Sequence, residues 1–239
     1  SPFRSRWPGK LLRHWNSSPL AAALAGLVFA FGGYMQSIND NLAFLTAATW
    51  LPLIMLCFSR ALQEHRRGYA IATMLLIGLQ VLAGDASFCV LSTILCTGLY
   101  ALCAPRRIAA CAARKRASVL LAVWLGGLGL ASIVLLPFCE YVAHSHRAGG
   151  LEAAQALRWS LHPLELLQWV HPYPFGRLVP QTRWFGQLWL DTVYLGILPL
   201  CFSALYILRC RSAHKLFLIS VALLGLFLRS DYSILSAMV

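Results

Sequence analysis

Apolar stretches close to the thickness of a lipid bilayer recur along this chain, and they decide what it can fold into. A spanning helix needs about 20 mostly apolar residues. Runs of that order lie at Leu20–Met35, Leu42–Ser59, Tyr69–Gly84, Ala86–Cys103, Ala117–Phe138 and Leu188–Leu208, with a weaker seventh at Leu216–Leu228. An open sheet edge cannot be left unpaired in hydrocarbon, so each run reads as a helix. The surface of a water-soluble domain takes roughly 25% charged residues, and here 12% are charged and 59% hydrophobic, with a mean hydropathy of +0.67. Soluble enzyme folds, disordered tails and disulfide scaffolds are thereby set aside. The expected fold is all-α: a polytopic transmembrane helical bundle of about seven spans, forming one domain over residues 1–239. The chain starts with Ser1 and stops inside an apolar stretch, so a piece of a longer polytopic protein, truncated at both ends, is expected.

The charges arrange themselves around these runs. If the spans alternate in direction, fifteen of the twenty Lys and Arg fall at one end of the bundle and seven of the eight Asp and Glu at the other. The positive-inside rule makes the basic end cytoplasmic, together with the N-terminus. Adding or removing one internal span would scramble the separation, so the charges support the span count as well. A net charge of +12 distributed in short runs between apolar stretches is membrane topology and not a nucleic-acid surface.

Eight cysteines give no CxxC pair. Cys89, Cys96 and Cys103 repeat every seven residues, which reads as a packing seam on one helix face. The connection at about 139–187 is the long outer loop, rich in Trp, His, Pro and Arg. Within it, SLHPLELLQWV has Pro163 in its first turn and Leu164, Leu167 and Trp169 as membrane-facing candidates, the pattern of an interfacial helix. Trp159, Trp169, Trp184 and Trp189 fit an aromatic belt. His144, His146, His162 and His171 lie outside without the spacing of a compact metal centre, and no metal ligands are assigned.

Two acids sit at tight outer turns, Asp40 in QSINDN and Asp85 in AGDAS. Short polar turns need such residues as caps, while ionisable groups at the mouth of a bundle can also face a polar cavity. Glu140 follows the fifth run, and His144, His146 and Arg147 come within one or two turns if the helix continues. A carboxylate, two imidazoles and a guanidinium are then expected at one outer corner.

The order of several stretches resembles YfhO-like bacterial membrane proteins. They are SPLAAALAGLVFAFGGYMQSINDNLAFLTAATWLPLIMLCFSRAL with its Trp50–Leu53 WLPL motif, LAGDAS with the later GLYAL, LLPFCEYVAHSHRAGG, the SLHPLELLQWVHPYPFG run and YLGILPL. That family is similar to glycosyltransferases of the C fold class, multispan enzymes that use a polyprenyl-phosphate sugar at the outer face. The resemblance implies a bacterial inner membrane location and a catalytic acid in an outer loop upstream of Ser1, so no catalytic base is assigned within this chain. At Asp85 the sequence departs from the family, which often carries a His-Pro pair there.

On this reading, transfer from a lipid-phosphate sugar requires a carboxylate base for the acceptor hydroxyl and stabilisation of the departing phosphate. Arg147 is the expected phosphate contact, because a guanidinium forks onto phosphate oxygens. Glu140 is expected to fix Arg147, while Asp40 and Asp85 assist a divalent metal or bind sugar hydroxyls. His144 and His146 complete the substrate-binding set. The partners are membrane lipid, the polyprenyl-phosphate sugar donor, and a glycan, lipid or protein acceptor, with no nucleic acid. A transporter or flippase, and a noncatalytic membrane scaffold subunit, are the rival classes; broken helices and buried charge favour transport. The topology has a direct check. Cysteines introduced singly at Glu64, Ala112 and Ser212 in a cysteine-free background are expected to resist an impermeant thiol reagent in intact cells, and one at Gln155 to react. Labelling at Ala112 but not at Gln155 reverses the orientation.

Overall fold

The computed structural model describes residues 10–11, 14–15, 17–83, 87–103, 113–145, 163–172, 174, 192–209 and 214–229. These residues form helices and connecting turns, with no strand among them. Helix α1 (Pro19–Phe31) opens with the Ser18 side chain accepting from the Ala21 amide, and Pro19 supplies a first-turn residue that needs no donor. It stops at Gly32, whose extended backbone separates it from a short α2 (Gly33–Ser37) and a 3₁₀ turn (Ile38–Asp40). After the Asn41 cap, α3 (Leu42–Glu64) runs for 23 residues through Pro52. Then follow α4 (Arg67–Leu82), α5 (Ser87–Leu102), α6 (Ala113–Leu130), α7 (Ser132–Ala143), a second 3₁₀ turn (Pro163–Trp169), α8 (Ile197–Arg209) and α9 (Lys215–Arg229).

Pro19–Asp40 and Leu42–Glu64 are long and apolar enough to cross a membrane. Residues Ala113–Leu130 and Ser132–Ala143 make a third candidate if the bent pair is one span. The 16 residues of α4 or α5 extend about 24 Å at 1.5 Å per residue, somewhat less than a ~30 Å hydrocarbon core. Large apolar side chains stand exposed along nearly every one of these helices, up to 76% for Ile133 and 79% for Leu208. An apolar surface of this extent belongs to a membrane protein.

The interior is held by close backbone approach and by polar groups that satisfy each other. Helix α6 packs most extensively on α4, where a Cβ at Gly127 would come within 2.6 Å of the Ile77 side chain. Small residues at such crossings let helices approach in a medium that gives apolar association little drive. Gln80, fully buried, donates to the Ala47 carbonyl at 2.9 Å and accepts from Thr93 at 2.9 Å. Thr97 in turn donates to the Thr93 carbonyl and accepts from Trp124 Nε1 at 3.1 Å. This chain of bonds links α3, α4, α5 and α6 and gives both the nitrogen and the oxygen of the Gln80 amide a partner. Around it lie two apolar clusters, one built on Phe58, Ile77, Tyr100, Val123 and Phe217, the other on Met35, Ile38, Phe44, Ala47 and Cys89.

The same contacts fix the directions of the helices. Ala47, near the start of α3, meets Gln80 at the end of α4 and, through it, Thr93 in the first half of α5. Arg116 at the start of α6 donates to the carbonyl of Ala101 at the end of α5. Tyr100 stacks on His214, just before α9. Helices α3 to α6 therefore alternate, and among the described residues Lys10, Arg60, Arg66 and Arg116 lie at one end of the bundle.

Three runs differ from their expected form. The first breaks at Gly32, and the fifth bends by 77° between α6 and α7 at Ala131. There Gly126, Gly127 and Gly129 weaken the helix before the bend, while Pro137 lacks the N–H for a bond to the Ile133 carbonyl. In the sixth, the described residues 192–196 are not helical, and a helix begins at Ile197. That segment replaces the missing helical partners of the first break. The Gly33 amide donates to the Tyr194 carbonyl at 2.7 Å, and Ser37 Oγ both donates to the Thr192 carbonyl and accepts from its amide. The approach is so close that a Cβ on Gly33 would collide with the Tyr194 backbone nitrogen. The Gly33→Ala variant is accordingly expected to lose about 1–3 kcal/mol of stability through overpacking, read as a lowered unfolding midpoint in detergent. Gly68→Ala, where a Cβ meets nothing within 4 Å, should leave that midpoint nearly unchanged.

Candidate functional site

Of the sequence-predicted site residues the structure describes Asp40, Glu140 and His144, which lie away from the basic end of the bundle. Asp40 is exposed at the close of the first 3₁₀ turn. Glu140 and His144 are exposed on and just after α7, and His144 Nδ1 lies 2.9 Å from the Glu140 main-chain oxygen. They are therefore joined through the backbone and not through the carboxylate. Asp85, His146 and Arg147 lie outside the described residues, as does most of the outer loop. The segment expected as an interfacial helix is a seven-residue 3₁₀ turn, Pro163–Trp169. Its role is in part structural: the Trp169 carbonyl accepts from the Leu195 and Gly196 amides, and Gln168 Oε1 accepts from the Val193 amide at 3.3 Å.

The strap of Thr192–Gly196 is thus held from both sides, by α2 and by the second 3₁₀ turn. Gly196, at φ +95°, turns the chain into α8 in a conformation that side-chain-bearing residues avoid. Beside the strap is a groove of about 500 Å³ lined by Leu27, Val28, Phe31, Tyr194, Ile197 and Pro199. Its walls are mostly apolar, and one end is backbone that has left helical geometry. Such a groove offers apolar surface and few free polar groups. Among the described residues, no three His, Cys, Asp or Glu side chains gather closely enough to hold a metal ion.

A second constellation, at the basic end, has no counterpart among the expected site residues. Arg60, near the end of α3, donates to the Tyr69 hydroxyl at 3.0 Å, and its guanidinium carbon sits 5.4 Å from the centroid of the same ring. Glu64 lies 3.9 Å from both Arg60 Nε and Arg66 Nε. Lys10, His14, Leu53, Leu56, Arg60 and Tyr69 border a cavity of about 500 Å³. Next to it the Trp15 ring stacks on His214 at 4.6 Å and on Tyr100 at 5.8 Å, with Phe217 edge-on. Tyr100 accepts a hydrogen bond from Gln63. Arg60 and Glu64 are one helical turn apart, as are Lys10 and His14, a spacing visible in the sequence once α3 is carried past Ser59. His14 and His214 are 200 positions apart, so their proximity has no local signal.

Comparison with protein-family models, with curated proteins and with solved structures found no match.

Burial lowers the pKa of His14 from its ordinary 6.5, the nearby Arg60 charge lowers it further, and Glu64 partly opposes them. His214 is lowered first by burial and then by His14. Both imidazoles are therefore neutral at pH 7. A base with a depressed folded pKa contributes fully above the unfolded value, and its contribution is lost as pH falls through the folded one. Unfolding midpoints in detergent are expected to drop as the pH is taken from about 7.5 to about 5. The His14→Gln/His214→Gln double variant should show a flatter profile, and an equally steep one would place the sensitivity elsewhere.

Proposed function

We propose that the chain is part of an integral membrane glycosyltransferase of the C fold class, which transfers a sugar from a polyprenyl-phosphate donor at the outer face of the bacterial inner membrane. The observation that carries this reading is the apolar groove between α1 and the strap at 192–196. It offers a seat for an isoprenoid chain at the end of the bundle where the acids gather. The resemblance to YfhO-like proteins supplies the reaction class. Seven crossings with a cytoplasmic N-terminus are supported by the alternating contacts of α3 to α6 and by the segregation of basic residues to one end.

In this reading the donor's isoprenoid chain lies along Leu27, Phe31 and Ile197, and its phosphate is held by Arg147, outside the described residues. Glu140 and the imidazoles of His144 and His146 flank the guanidinium. Asp40 and Asp85 bind sugar hydroxyls or a divalent metal. The acceptor is a glycan, lipid or protein hydroxyl that a carboxylate base deprotonates. The departing phosphate gains negative charge as the glycosidic bond breaks, and a fixed guanidinium stabilises that charge more in the transition state than in the bound donor.

A second reading, a lipid or anionic-substrate transporter or flippase, draws on a different observation. Helix discontinuities at Gly32 and Ala131 and an extended strap beside one of them are features of proteins that bind substrate at unwound backbone. The two readings separate in proteoliposomes loaded with a radiolabelled polyprenyl-phosphate sugar. Formation of a glycosylated acceptor supports transfer, and translocation of the labelled lipid with its sugar bond intact supports transport. Within the first reading, Arg147→Ala in the complete protein is expected to lower transfer about 10²-fold or more, with folded yield unchanged. Equal loss of yield and activity would make Arg147 a structural residue.

A further inference from the structure

The cavity at the basic end takes no part in the proposed transfer, which is placed at the other end of the bundle. Its groups are nevertheless arranged for a ligand. The Arg60 guanidinium is fixed by Tyr69 through a hydrogen bond and through the ring face. Its Nε is buried and donates to nothing, because Glu64 at 3.9 Å is beyond hydrogen-bond reach. Glu64 is also shared with Arg66, which draws its charge toward solvent. Nε2 of His14 is buried without a partner on the same cavity. Lys10 adds a cation at the rim, and Leu53 and Leu56 give the cavity an apolar wall. Buried polar groups are ordinarily satisfied, and His14 and Arg60, which both line this cavity, each carry a buried nitrogen that is not.

We infer that this cavity binds a phosphate group, with Arg60 and Lys10 as its charged contacts, His14 as a hydrogen-bonding contact, and Leu53 and Leu56 packed against the carbon skeleton that carries it. The donors come from two separate stretches of chain, the segment before α1 and the end of α3, and both border the one cavity. Two cationic side chains suit the charge of a phosphate better than that of a single carboxylate. The Arg60 fork is already immobilised, so little side-chain entropy remains to be lost on binding. A volume of about 500 Å³ exceeds what a bare phosphate fills and leaves room for a glycerol or sugar unit. The chemistry is shared by an anionic lipid headgroup and by a soluble phosphate ester. The basic end is the one the positive-inside rule places against the anionic leaflet.

The purified protein in phosphatidylcholine nanodiscs is titrated separately with dioctanoyl phosphatidylglycerol and with glycerol 3-phosphate, following the thermal midpoint. A saturable rise with the lipid assigns the site to a headgroup, and one with glycerol 3-phosphate assigns it to a soluble ester. In either case Arg60→Gln is expected to weaken the apparent affinity about tenfold, the loss of one charge-assisted contact. Lys10→Gln, at an exposed position, should weaken it in the same direction and decides the matter if Arg60→Gln does not fold. Arg114→Gln removes the same charge from an exposed position on α6 outside the cavity and should leave the affinity unchanged. Absence of a saturable shift with either probe overturns the inference. So does a shift that Lys10→Gln leaves intact, or one that Arg114→Gln weakens as much.

Discussion

Every amide and carbonyl released when a helix breaks inside an apolar bundle needs a new partner, because no water is at hand to supply one. The break at Gly32 and the extended segment before α8 meet this requirement together. Gly33 bonds to Tyr194, Ser37 bonds twice to Thr192, and the 3₁₀ turn at Pro163–Trp169 covers the amides of Val193, Leu195 and Gly196. Each of the three segments is irregular, and each would leave buried polar groups bare without the others. Their mutual satisfaction sets the position of α8, which in turn completes one wall of the apolar groove. Loss of helix at this end is therefore the condition for having a groove there at all.

Deeper in the bundle the same accounting takes another form. Gln80 is a costly residue to bury, yet its amide spans from the Ala47 carbonyl to the Thr93 hydroxyl. Thr73, Thr93 and Thr97 return their hydroxyls to the carbonyls of Tyr69, Cys89 and Thr93, four positions earlier. Back-bonding of this kind lets a helix carry polar side chains through an apolar region without exposing them. Charges do not enter that region among the described residues. They appear where α3, α4, α5 and α6 reach the basic end, and there Arg116 caps the end of α5 by donating to Ala101.

What the amino-acid order made legible follows the range of the interactions involved. Helices appear where periodic apolar residues demand them, and Cys89 and Cys96 are buried and half-buried on α5, with Cys103 half-buried just past its end. The end of α3 was hidden because Arg60 looks like a boundary. A guanidinium at a helix terminus carries its charge to the rim along an apolar stem, so the helix continues to Glu64. The bend at Ala131 had local signals in its glycines and Pro137, but an uninterrupted apolar run outweighed them. The strap had none: Ser37 and Thr192 are 155 positions apart, and neither residue announces the other. The same holds for Trp15, Tyr100 and His214, whose stack joins three distant stretches. Of the candidate site, Asp40, Glu140 and His144 can be placed, whereas Asp85, His146 and Arg147 rest on sequence alone.

The two ends of the bundle differ in how they present polarity, and this difference bears on what each can recognise. At the strap, the polar groups are backbone amides and carbonyls already paired with one another, so the neighbouring groove offers shape and apolar surface but few free donors. A chain of carbon atoms fits there, and chemistry on a head group must come from side chains reaching in from the loops. At the basic end, side-chain nitrogens of Arg60 and His14 remain unspent. An anion fits there without help from any loop. A lipid that has both a long apolar tail and a phosphate cannot use the two sites at once, because they sit at opposite ends of α3.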